Sequence, residues 1–137
     1  MRTFLLRFFT AEKPFFMGEC ESLIVPTTDG AYGIMAGHSD LVLAIDAGEL
    51  KYREKGASDF VEAAVAPGLM VVKNGVVTVL TEAAEADRDI DFDRAMRQYE
   101  KAKEEMLATE NECIKRLAEA KMARALARLR VRSRLNK

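Results

Sequence analysis

Two groups of charged residues stand out by type and spacing. The first is Ile90-Asp91-Phe92-Asp93-Arg94-Ala95. An aspartate at the head of a helical stretch accepts from free backbone N–H groups, and an arginine one turn on shares its face. Taken alone, the pattern is that of a helix start. The second group is Lys121, Arg124, Arg128 and Arg132, which at about 100° per residue share an arc of roughly 80° on one helix. Such a stripe either complements the negative end of the helix dipole or docks phosphates or acidic loops, to which guanidinium presents paired donors. Arg130 and Arg134 fall on the opposite side, so the last turns are basic all round.

Other chemistry is sparse. The single histidine, His38, lies in Gly37-His38-Ser39-Asp40. No nucleophile–histidine–acid set, Gly-rich phosphate loop, CxxC or HExxH accompanies it, so a loop or interface role is expected rather than catalysis. Cys20 and Cys113 lie far apart without a ligand spacing, which predicts neither a disulfide framework nor a metal site but two reduced thiols of a cytoplasmic protein. The sequence therefore predicts a protein that binds rather than one that turns over substrate.

The 137 residues carry 21 Lys+Arg against 22 Asp+Glu, a net charge of −1, which argues against a chain that coats nucleic acid. The even total hides segregation. Residues 82–112 hold eleven acids against five bases, whereas residues 121–137 hold seven bases and no acid. Segments so opposed usually face each other or an oppositely charged partner. The apolar start is interrupted by Arg7 and lacks a small-residue cleavage site, so it reads as a strand and not a signal peptide. No apolar run approaches the roughly 18 residues that cross a bilayer.

The elements that must position these groups fall into two halves. Up to about Thr81, short apolar or alternating runs (Thr3–Thr10, Cys20–Val25, Leu41–Ile45, Glu49–Glu54, Phe60–Val65, Leu69–Val72, Val76–Thr81) are separated by Pro and Gly turns. Evenly spaced short strands predict a β-sandwich or flattened barrel closed on itself. Asn74-Gly75 between β-branched runs predicts a type I′ hairpin. After Gly75 neither Gly nor Pro occurs. Phe92, Ala95, Met96, Tyr99, Ala102 and Met106 form one helical stripe, and Ile114, Ala118, Met122, Ala125 and Leu129 form another. Asp89 or Asp91 can cap the first helix, and Thr109 or Asn111 the second. An antiparallel hairpin of helices is expected, with one continuous helix as the competing state. Docking of two such helices on the β half should be marginal, and an element near balance is switched by a few kcal/mol.

Together these features resemble the ε subunit of bacterial and chloroplast F-type ATP synthase, called δ in mitochondria. In the β half the resemblance is carried by Gly18-Glu19, Val25-Pro26, Asp29-Gly30-Ala31-Tyr32-Gly33-Ile34, Gly37-His38, Leu41, Gly48 and Pro67-Gly68. The Val76–Leu80 strand running into Ala84-Glu85 continues it. In the helical half Ile90-Asp91-x-x-Arg94-Ala95 and Arg124-Ala125-Leu126-Ala127-Arg128-Leu129-Arg130-Val131 carry it.

The resemblance implies a ten-stranded β-sandwich over residues 1–86 and a two-helix regulatory unit over residues 87–137. It implies a non-catalytic rotor subunit, peripheral on the cytoplasmic face of a bacterial cell membrane and tied to it only through other subunits. Partners would be the γ subunit, the ring of c subunits, and the β and α subunits of the F1 sector, with no nucleic acid. The loop Asp29–Ile34 (Asp29, Gly30, Ala31, Tyr32, Gly33) and the turn Gly37, His38 to Leu41 would lie against γ and the ring. Lys121, Arg124, Arg128 and Arg132 would meet the catalytic β subunits when the hairpin extends and so inhibit hydrolysis. Glu85, Ile90, Asp91, Arg94, Ala95, Arg124 and Arg128 would hold a regulatory ATP in the folded-down state, with no other cofactor and no metal. A freestanding nucleotide-sensing module, and an adaptor with a basic membrane- or nucleic-acid-binding tail, are the competing readings.

Overall fold

The computed structural model describes residues 2–135, apart from the side chains of Arg88 and of residues 132–135. Nine strands come first: β1 (Phe4–Thr10), β2 (Pro14–Thr27), β3 (Gly30–Met35), β4 (Leu41–Ile45), β5 (Gly48–Glu54), β6 (Val61–Val65), β7 (Gly68–Lys73), β8 (Val76–Thr81) and β9 (Ala84–Ala86). A 3₁₀ turn (Asp87–Asp89) leads to α1 (Phe92–Ala108) and α2 (Glu112–Leu135). The strand order is β4-β7-β8-β1-β2-β5-β6-β9, with β3 added to β2.

Two expectations change here. The sheet has nine strands rather than ten, because β2 runs through both halves of the sandwich. Its first part pairs with β1, its last part with β3, and a bulge between Cys20 and Ser22 turns it from one to the other. Nor is the sheet closed, since the path ends at β4 and at the three-residue β9, where the chain leaves for the helices.

Alternation along the strands fills one interior. Phe4, Leu6 and Phe8 of β1 point inward with Leu23, Val25, Leu50, Met70, Val77 and Val79. The Asn74-Gly75 turn has φ of 51° and 77°, the two left-handed positions of a type I′ turn, and it fixes the β7–β8 register Lys73↔Val76. At Gly68 a Cβ would sit 2.0 Å from the Leu80 carbonyl oxygen, so only glycine lets β7 approach β8 there.

The helices form a hairpin. The Asp91 carboxylate accepts from Arg94 N–H at 3.1 Å. Asn111 Oδ1 accepts from Cys113 and Ile114 N–H at 2.9 and 3.2 Å. Asn111 therefore starts a second helix where a single one would have continued. Buried alanines, Ala95 and Ala102 on α1 with Ala118 and Ala125 on α2, make the seam narrow. Helix α2 also uses a second face. Ala127 and Val131 bury against Ala64 of β6 and Ile90, a four-residue cluster separate from the sandwich interior.

Candidate functional site

The junction between hairpin and sandwich collects most of the charged residues singled out above. Strand β9 carries Glu85, and the turn before it carries Glu82. Because α2 runs back antiparallel to α1, its basic stripe returns over these acids. Arg128 Nε forms an ion pair with Glu85 Oε1 at 2.7 Å, and its Nη1 donates to Gln98 Oε1 at 3.0 Å. One guanidinium thus joins β9, α1 and α2. One turn earlier, Arg124 Nη2 reaches Glu82 Oε2 at 3.3 Å. Lys121 Nζ, a further turn away, lies 3.8 Å from Glu105 of α1. The acid-rich and base-rich segments of the sequence do face each other.

Two neighbouring cavities open here. A recess of about 120 Å³ is lined by Glu85, Asp89, Asp91, Arg94, Ala95, Gln98 and Arg128. A groove of about 340 Å³ between the helices is lined by Gln98, Lys101, Ala102, Glu105, Lys121, Arg124 and Arg128. Gln98 and Arg128 line both. Five of the seven residues expected at a nucleotide, Glu85, Asp91, Arg94, Ala95 and Arg128, line the recess, and Arg124 lines the groove. Ile90 is instead buried in the apolar cluster beneath. The Arg132 side chain lies outside the described residues. Four cations against one carboxylate make the groove suited to phosphate oxygens, while the carboxylates of the recess suit hydroxyl and amino donors. Gln98 and Lys101 were not read as site residues. Their signal is spacing, since they follow Arg94 by one and two helical turns on the same face.

The other expected contact region is built differently from the reading of its sequence. Asp29 sits in a tight turn, where its N–H donates to Thr27 Oγ1 at 3.2 Å. Gly30, Ala31, Tyr32, Gly33 and Ile34 are not a loop but lie in β3, paired with Leu23–Thr27 of β2. The β-branched residues Ile24, Val25 and Thr27 of β2 supplied a partner edge that a Gly-rich segment does not advertise. Tyr32 Oη lies 3.0 Å from His38 Nε2, and His38 Nδ1–H donates to the Ser39 carbonyl at 2.8 Å. The hydrogen bond ties β3 to the Gly37–His38 turn ahead of Leu41.

A further surface went unread. Val42, Leu69, Val71 and Leu80 are exposed by 69, 50, 37 and 51%. The pairings Val42↔Val71 and Leu69↔Leu80 make them contiguous on the outer face. The near-continuous apolar runs of β7 and β8, where one-sided burial would alternate, were the available signal.

The cysteines add no chemistry to the junction. Cys20 is buried in the sandwich and Cys113 is exposed. Burial, with the Glu54 charge adding to it, pushes the Cys20 thiol up to about 12. Among the described residues no cluster of His, Cys, Asp or Glu is placed to hold a metal ion, and no helix is long and apolar enough to cross a membrane.

Two family profiles together cover nearly the whole chain: the β-sandwich domain of the ATP synthase delta/epsilon chain matches residues 3–87, and its long alpha-helix domain matches residues 88–132. The chain belongs to the ATP synthase delta/epsilon family. The ATP synthase epsilon chain of Ruminococcus albus is 39% identical over 132 residues, covering 96% of this chain and 97% of that one. The chloroplastic epsilon chain of Tetradesmus obliquus is 35% identical over 130 residues, covering 93% of each. The fold is also that of a chain in the cryo-EM structure of Euglena gracilis mitochondrial ATP synthase, OSCP/F1/c-ring. The TM-score there is 0.81 at 19% identity, covering 100% of this chain and 83% of that chain. As an epsilon chain it is a non-catalytic stalk subunit of an F-type ATP synthase and not an enzyme by itself.

Proposed function

We propose that this epsilon chain is a rotor element between the γ subunit and the ring of c subunits, peripheral at the cytoplasmic face of the membrane. Residues 87–137 serve as its regulatory arm and residues 1–86 as its rigid body. The Tyr32–His38 corner, with Asp29–Gly33 and Leu41, lies against γ and the ring, and the apolar outer face of β4, β7 and β8 adds area for γ. The arm lies folded down here, and in that state it permits catalysis. Lifted, it presents Lys121, Arg124, Arg128 and Arg132 to acidic loops of the β subunits and blocks ATP hydrolysis. ATP held by Glu85, Asp91, Arg94, Ala95, Arg124 and Arg128 over the Ile90 cluster keeps the arm down, because a ligand that binds one state alone shifts the population toward it.

The observation that carries this reading is the double engagement of the stripe. Arg124 and Arg128 face Glu82 and Glu85 of the sandwich while the arm is down, so the arm must lift to carry them to acidic loops of another subunit. The test is hydrolysis by the assembled synthase with the chain intact or ended before Asp87. Higher hydrolysis by the truncated assembly, with synthesis retained, supports the arm as inhibitor. Equal hydrolysis at low and high ATP would leave the rotor role alone.

A further inference from the structure

We propose that Glu82 is a built-in competitor for the anion received at the junction. This rests on the nucleotide reading above and assigns one of this chain's own residues a part in setting its affinity. Arg124 lines the groove, yet its Nη2 is held by Glu82 Oε2 at 3.3 Å. A third recess, about 90 Å³, opens between them and is lined by Glu82, Glu85, Arg124 and Arg128 among others. Carboxylate and phosphate oxygens compete for the same guanidinium donors, so Arg124 cannot give its Nη2–H to both. The side chains of Arg124 and Glu82 are 43 and 69% exposed, which makes the pair weak and displaceable at small cost. The Arg128–Glu85 pair is closer, 2.7 Å, and better covered, at 28 and 35%. Its carboxylate lines the recess itself and remains there as part of the receiving site.

The sign of the effect follows from three states of the free chain: arm lifted, arm down with Arg124 free, and arm down with Arg124 on Glu82. The anion takes only the second. Removing the carboxylate empties the third state into the other two in their existing ratio, so the competent fraction rises however often the arm lifts. For an exposed ion pair the expected gain in affinity is about three- to fivefold.

The experiment is a calorimetric titration of the full chain with ATP, comparing wild type, Glu82→Gln, Arg124→Ala and the double variant. Glu82 is exposed and its backbone N–H bond to the Pro67 carbonyl is kept, so the substitution does not threaten the fold. Tightening of about three- to fivefold in Glu82→Gln, absent on the Arg124→Ala background, supports the competition. Unchanged or weaker binding in Glu82→Gln, with ATP bound more weakly by Arg124→Ala, overturns it and leaves the nucleotide reading standing. Absence of ATP binding in all four chains removes both.

Discussion

Val131 packs only where the arm meets the sandwich, which makes Val131→Ala a clean way to loosen that contact. The side chain is fully buried in a cluster completed by Ala64, Ile90 and Ala127. The substitution removes two methyl groups at about 0.8 kcal/mol each, and the small void left among alanines brings the loss to about 2 kcal/mol. At a factor of ten per 1.4 kcal/mol, the docked-to-lifted ratio falls about 30-fold. The polar ties Arg128–Glu85 and Arg124–Glu82 are partly exposed and contribute about 1 kcal/mol or less each. Methyl NMR of the full chain reads this directly. The Ala64 and Ala127 methyl signals should move toward their lifted positions, while those of Leu6 and Val79, in the separate sandwich interior, stay in place. Loss of the Leu6 and Val79 signals together with those of Ala64, in one cooperative unfolding step, would refute the separation of the two clusters.

Other outcomes follow from local geometry. Asn111→Ala removes the acceptor of two N–H groups at the start of α2 and should cost about 1 kcal/mol, read as faster hydrogen exchange in that first turn. Gly68→Ala drives a Cβ against the Leu80 carbonyl. It should lower the stability of the sandwich by about 3 kcal/mol, read as an earlier urea midpoint with little change in slope. A maleimide at neutral pH should modify Cys113 and leave Cys20 untouched, since Cys20 is buried with its thiol pushed up to about 12. The folded chain keeps that proton when the unfolded chain has lost it, so stability is whole below pH 9 and falls toward pH 12 by about 1.4 kcal/mol per unit. Cys20→Ala should flatten that fall in denaturation curves.

Much of this was legible where one strong local signal decided the outcome. Asn74-Gly75 specified its hairpin because few residues tolerate two consecutive positive φ values. Asp89 or Asp91, and Thr109 or Asn111, marked the helix starts because short polar side chains satisfy orphan N–H groups, and the structure selects Asp91 and Asn111. The strand β3 was missed because Gly30-Ala31-Tyr32-Gly33 has weak strand propensity and is held by its long-range partner β2. Pro14 was read as punctuation, yet it opens β2, a first-residue position where its missing N–H costs little. The second buried face of α2 stayed hidden because Ala127 and Val131 fall off the stripe that packs on α1, and only the docking surface of β6 gives them meaning. Meanwhile Ile114, on the expected stripe, is 47% exposed at the tip of the hairpin. At the site, the arginines were legible by type and spacing. Of the acids that hold them, Glu85 entered only through the family resemblance and Glu82 was not read as a site residue, because both reach the arginines across a fold-dependent gap of more than forty positions.

The central claim, an arm with two resting places, is tested most directly by a distance. Labels at the native Cys113 and at a cysteine placed on the exposed turn residue Thr28, read by pulsed electron resonance in the assembled synthase, report arm against body. Two populations are expected, one at the folded-down separation and one longer, with added ATP moving weight to the first. A single unchanging separation with and without ATP would contradict the account.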